Sequence, residues 1–171
     1  MLGADDISGI LEILYGVQLV IDSGKPHKKI ELLFTIGEEL YVKGSDVFDY
    51  SKVTAKQAYV LDLSEETTFN IGTIQGGTAT NIVPDCCVLT AYETPLESKA
   101  VTDFQKACEI LGFSGELTGT FGGSDNNSFA KNGIEGLVLS NGMYNAHSTL
   151  EYTTVDDLYK GAELIGQLIL L

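Results

Sequence analysis

The chain's 171 residues carry 24 acids against ten bases, a net charge of −14, and every base is lysine. Such a composition lacks the basic footprint that nucleic acid requires, and it is repelled by an anionic membrane surface. The length fits one domain with a real core, and with no basic leader region and no apolar run long enough to span a bilayer a soluble, cytoplasmic protein is expected.

Asp5 and Asp6 precede apolar residues at 7, 10, 11, 14, 17, 20 and 21, the spacing of an amphipathic helix. Either aspartate is placed to cap that helix, and its charge suits the positive helix end. Residues 23–26, SGKP, end it, and His27 follows in a polar loop as a solvated histidine. Residues 30–36 form a mostly apolar run, the pattern of a strand buried on both faces. Gly37 breaks the strand, and Glu38 and Glu39 follow just beyond its carboxyl end, where ligands bind in open α/β sheets. Adjacent carboxylates there repel, so a proton or a cation must relieve them.

A turn-rich piece then leads into QAYVLD, a second buried strand ending in Asp62. After the polar residues 63–68, FNIGTIQG and NIVPDCCVLTAYE read as two strands joined by the glycine-rich GGTAT. Residues 95–111 have helical spacing, and Gly112 ends that helix as a C-cap. ELTGTFGGSDNNSFAKNG reads as a short strand, a glycine turn and a short helix. GIEGLVLSNG is another buried strand, and the loop after it carries His147. Residues 155–171 make the closing amphipathic helix, with Thr154 as its N-cap.

Alternating strands and helices predict an α/β fold, a mostly parallel mixed sheet with helices on both faces. Asp5 lies before a helix, and Glu38, Glu39, Asp62 and His147 lie beyond strand ends. Carboxylates and an imidazole on one rim make an oxygen/nitrogen metal site, and a catalytic zinc keeps one position open for water. Two metals bridged by a carboxylate form a hydrolytic centre, and a further carboxylate can serve as general base. Cys86, Cys87 and Cys108 are odd in number and include a vicinal pair, so they read as reduced core thiols rather than a disulfide framework. The glycine loops GGTAT and GGSD have no lysine in P-loop spacing and read as tight turns.

LGADDISGI, FTIGEE, YVLD, GGSDNNSFAKNGI and GMYNAHSTLEY, in that order along nearly the whole chain, resemble the motifs of peptidase T-like enzymes. These belong to the aminoacylase and carboxypeptidase G superfamily of di-zinc hydrolases. The resemblance implies a zinc-exopeptidase three-layer sandwich, with residues 1–64 and 113–171 as its catalytic domain. Residues 65–112 would be a remnant of the lid or dimerisation domain, a short hairpin and a helix. Glu38 would be the general base and Asp5 the bridging ligand. Glu39 and His147 would complete one zinc site, and Asp62 would bind the other zinc. Asn81, in NIGTIQGGTATNIVPD, and Gly123, Ser124 and Asp125 would face the substrate, a small peptide. The implied activity is that of a zinc-dependent amino- or tripeptidase-like hydrolase.

Three departures shape what is expected of this chain. The family's H-x-D motif lies upstream of the GADD motif, where this sequence begins. Most of the first half of the lid, with a histidine that stabilises the transition state, is missing after Asp62. The arginine expected after the lid strand is absent, since the chain has none. The second zinc position then keeps only Asp5 and Asp62. One zinc per chain and peptidase activity near background are expected, with a non-catalytic binding or structural remnant as the alternative. Strand edges and apolar helix surface left uncovered favour a homodimer.

Overall fold

The computed structural model describes residues 3–40, 42–64, 73–76, 87–90, 94–119 and 124–171. The helices are α1 (Ala4–Ser23), α2 (Lys43–Asp46), α3 (Lys99–Leu111), α4 (Asn126–Lys131) and α5 (Val155–Leu170). The strands are β1 (Gln57–Ser64), β2 (Thr73–Gly76), β3 (Cys87–Thr90) and β4 (Glu135–Met143). β1 and β4 pair in parallel, with Gln57 opposite Glu135 and Leu61 opposite Leu139. A parallel pair needs a long crossover, and α3 and α4 both fall within it in sequence. β2 and β3 form an antiparallel hairpin, with Thr73 opposite Thr90. The fold is α/β, and its parallel sheet has two strands among the described residues.

Local chemistry sets the helix ends. The Thr154 hydroxyl accepts from the Asp157 N–H and starts α5, and the Ser98 hydroxyl accepts from the Val101 N–H and starts α3. Gly112 ends α3 at φ +72, a conformation glycine adopts without a Cβ penalty. The core is built where the paired strands meet two helices. Leu61 and Leu139 pack with Ala107 of α3 and with Ile165 and Leu168 of α5. Burying each of these leucines and isoleucines contributes about 1.5–3 kcal/mol. Cys108 is a buried free thiol, and burial pushes its pKa up. Cys86 and the side chain of Cys87 lie outside the described residues. His27 is exposed, its Nδ1 2.7 Å from the Lys28 carbonyl oxygen. No described helix is long and apolar enough to cross a membrane.

Several expectations are corrected. Gly3, not an aspartate, occupies the N-cap of α1, at φ +82; Asp5 and Asp6 lie inside the helix bounds with non-helical angles, and the peptide bond between them is cis. Of the apolar stripe of α1, Val20 alone is buried. Ser8, Gly9, Glu12, Gly16 and Val20 are buried, while Ile7, Leu11, Leu14 and Ile21 are exposed. Small residues win because α1 packs closely on α5: a Cβ on Gly16 would stand 2.7 Å from the Ala162 carbonyl oxygen. Residues 30–36 join no strand ladder, and Leu32, Phe34 and Ile36 are exposed. β1 takes β4 as its partner, and a cavity of about 590 Å³ is lined by residues 28–35 and 55–62 together with Asp5, Glu38, Glu39 and Asp125. Residues 116–119, the described part of the segment read as a short strand, are irregular.

Candidate metal centre

The centre is assembled at the carboxyl end of β1, at the start of α1 and in two loops. The start of α1 is tied down from a distance. Glu151 is buried, and its Oε1 accepts from the Ala4 N–H at 2.6 Å and from the Asp5 N–H at 3.5 Å. Asp6 accepts from the Gly9 N–H at 3.0 Å and from Asn141 Nδ2 of β4 at 2.5 Å. Asp5, its backbone fixed by Glu151, reaches His147. Nε2 of His147 lies 2.8 Å from Asp5 Oδ2 and 3.2 Å from Glu39 Oε1. His147 sits at φ +63 in a loop where Tyr144 and Tyr152 pair as an isolated bridge and stack their rings 4.8 Å apart.

Three ligand atoms, one each from Asp5, Glu39 and His147, therefore lie within 4.8 Å of one another. A tetrahedral zinc with bonds of ~2.0–2.2 Å spaces its ligand atoms ~3.3–3.6 Å apart. The donor set, two carboxylates and an imidazole, is one that zinc accepts, and the spacing requires only small adjustments. Asp5 is mostly buried, while Glu39 and His147 are largely exposed, so the site opens to solvent on one side.

Glu38 and Asp62 surround this triad. Burial, then the charges of Glu39, Asp125 and Asp5, raises the Glu38 carboxyl to about 7, against a smaller lowering by His147. Asp62 falls at an irregularity in the β1–β4 register between Leu61 and Leu63. Such breaks re-aim side chains beside functional sites. Burial, then Glu38, Asp6, Asp5 and Asp125, pushes the Asp62 carboxyl to about 8. Its Oδ2 is buried with no hydrogen-bond partner among the described residues. Burial and the Asp5 charge raise Asp6 to about 7, against the lowering hydrogen bonds from Gly9 and Asn141. Acids crowded this way resist joint ionisation, and a cation between them would relieve the repulsion.

The remaining candidates fare differently. Asn81 and Gly123 lie outside the described residues. Ser124 is buried, and its hydroxyl accepts from the Asn126 N–H at 3.2 Å. Asp125 is buried and accepts hydroxyl hydrogens from Thr35 and Ser45. Glu151 and Asn141 escape sequence reasoning because each acts on residues more than a hundred positions away. The one available signal for Glu151 is its place in the GMYNAHSTLEY segment, four residues after His147.

Residues 3–171 match peptidase family M20/M25/M40. The uncharacterized protein YqjE of Bacillus subtilis is 23% identical over 265 aligned positions, covering 99% of this chain and 71% of YqjE. That alignment is longer than the chain, so YqjE contains internal segments with no counterpart here. Peptidase T of Vibrio cholerae is 40% identical over 63 residues, 36% of this chain and 15% of that protein. Among solved structures, aminopeptidase PepT of Bacillus cereus has a TM-score of 0.82 at 22% identity, with 99% of this chain and 71% of that one covered. A tripeptidase of Staphylococcus aureus also has a TM-score of 0.82, at 18% identity and the same coverage. At these identities the two structures establish the fold.

Proposed function

We propose, for a chain that belongs to peptidase family M20/M25/M40, that Asp5, Glu39 and His147 hold one zinc ion in a centre directed at short peptides. The convergence of those three ligand atoms carries the reading. Asp62, with Asp5 as the shared ligand, marks a weaker second position. A bound zinc would acidify a water molecule and draw charge from a scissile carbonyl oxygen. Glu38, held beside the triad, accepts the proton of the attacking water and returns it to the leaving amine.

Hydrolysis by this chain alone is slow in this reading. The second position has two protein carboxylates and no imidazole, and the chain has no arginine to orient a peptide. Losing even one oxyanion donor typically costs about a hundredfold or more in rate. The segments present in YqjE and absent here favour, as a second reading, a non-catalytic fragment that binds metal and pairs with a second copy. Residues 1–64 and 113–171 would then form the metal-binding domain, with 65–112 as the lid remnant. The exposed Leu11 and Leu14 on α1 supply the apolar surface for a homodimer. A cytoplasmic location fits cysteines read as reduced thiols.

Calorimetry with zinc on the wild type and on His147→Ala, beside a tripeptide cleavage assay, tests the assignment. One tight zinc per chain, lost in His147→Ala, with cleavage near background, is the expected result. No zinc binding by the wild type overturns the metal reading. Robust cleavage abolished by Glu38→Gln overturns the second reading and shows a working peptidase.

A further inference from the structure

Residues 35–40 and 42–46 belong to a looped segment, ending in α2, that carries Glu38 and Glu39 between two anchored ends. Inside the loop, the Val42 N–H donates to the Glu38 carbonyl at 2.8 Å, and the Leu40 and Lys43 N–H groups donate to the Gly37 carbonyl at 3.2 and 3.3 Å. The ends touch: a Cβ on Gly44 would stand 2.4 Å from the Ile36 carbonyl oxygen. Both ends are also gripped from outside by one side chain. Asp125, just ahead of α4, accepts the Thr35 hydroxyl on Oδ2 and the Ser45 hydroxyl on Oδ1, the latter at 2.6 Å. Ser128 Oγ lies 3.2 Å from Ser45 Oγ. Ser45, Ser128 and Asp125 are all buried. The Lys131–Asp46 ion pair at 3.0 Å adds a further tie between α4 and the loop, but it is exposed and contributes little.

Asp125 therefore has one hydroxyl on each oxygen and is only 9% exposed, which leaves it poorly placed to touch a peptide. We propose instead that Asp125 is a positioning residue: by holding both ends of the loop, it sets where Glu38 and Glu39 stand relative to Asp5 and His147. This rests on the assignment of Glu39 as a metal ligand and Glu38 as base. The two hydrogen bonds are direct mechanical links to the two loop ends.

Amide hydrogen exchange and zinc calorimetry on Asp125→Ala and Asp125→Asn test the proposal. In Asp125→Ala the amides of Leu40, Val42 and Lys43 exchange about tenfold or more faster than in the wild type, while β1 and β4 amides keep their rates. Zinc binds about 10–100-fold more weakly, the usual cost of removing a group that orients a ligand. The amide of Asp125→Asn can accept from one hydroxyl and donate to the other, so it restores both readouts. Wild-type exchange in Asp125→Ala, or no rescue by Asp125→Asn, overturns the proposal. If Asp125→Ala loosens the whole chain, Thr35→Val decides: it removes only the hydroxyl on Asp125 Oδ2, and loop exchange that stays at the wild-type rate overturns the proposal. A wild type that binds no zinc defeats the metal reading, while the exchange measurements still judge the grip.

Discussion

Gly16 of α1 and Gly166 of α5 lie against each other, yet alanine at the two positions is expected to act in opposite directions. A Cβ on Gly16 would stand 2.7 Å from the Ala162 carbonyl oxygen and 2.9 Å from both Cβ and Cγ2 of Ile165. Neither neighbour is the loose end of a flexible side chain, so the helices must part. Overpacking of this kind costs about 1–3 kcal/mol, against about 0.5–1 kcal/mol recovered by replacing a glycine inside a helix. The overpacking wins, and Gly16→Ala destabilises by roughly 1–2 kcal/mol. A Cβ on Gly166 would meet the Gly16 carbonyl oxygen at 3.5 Å and Val20 Cγ2 at 3.8 Å, both ordinary contacts. There the helix preference acts alone, and Gly166→Ala stabilises by roughly 0.5–1 kcal/mol. Urea unfolding followed by circular dichroism reads both, with one midpoint falling, the other rising and the slope unchanged. Shifts of the same sign, or a Gly16→Ala midpoint equal to that of the wild type, would refute the packing argument.

Glu31 accepts from Lys29 Nζ at 2.7 Å, from the Thr54 hydroxyl at 2.6 Å and from the N–H groups of Ala55 and Thr54, which together hold its carboxyl down at about 2. A depressed carboxylate stabilises fully above its unfolded value near 4.5 and loses that contribution as pH falls through about 2. Glu31→Gln should therefore lower the thermal midpoint at pH 7 but not near pH 2, and an equal loss at both would count against this. A homodimer resting on Leu11 and Leu14 should scatter light at twice the mass of one chain and revert to monomer in Leu14→Lys. A wild type that stays monomeric at every concentration excludes it.

The parts of the fold legible in the sequence are those written in local chemistry. Thr154 and Gly112 mark helix ends because capping involves residues three or four apart. QAYVLD and GIEGLVLSNG announce strands through their apolar runs. What periodicity misses is choice of partner. The run at 30–36 looks like a central strand, yet nothing in it reveals that β1 pairs with β4 instead. The stripe of α1 looks like its buried face, but backbone approach at Gly16 outranks apolar area there. Asp5, Glu38, Glu39, Asp62 and His147 are legible as candidates from their places before a helix and after strands. Their convergence, and the work of Glu151 and Asn141 behind them, depends on hydrogen bonds between distant residues that no spacing rule encodes.

The first helix of the chain rests on the last. Gly16 lies against Ala162 and Ile165, and the Ala4 N–H is held by Glu151. A ribosome adds about 5–20 residues per second, so α1 precedes α5 by an interval on the order of ten seconds. Throughout that time its glycine face has no surface to lie on, whatever the intervening strands have achieved. Contacts that span nearly the whole chain also carry the largest loop-closure cost and form late. Asp5, at the start of α1, thus meets His147 only after the whole stretch between them has been made.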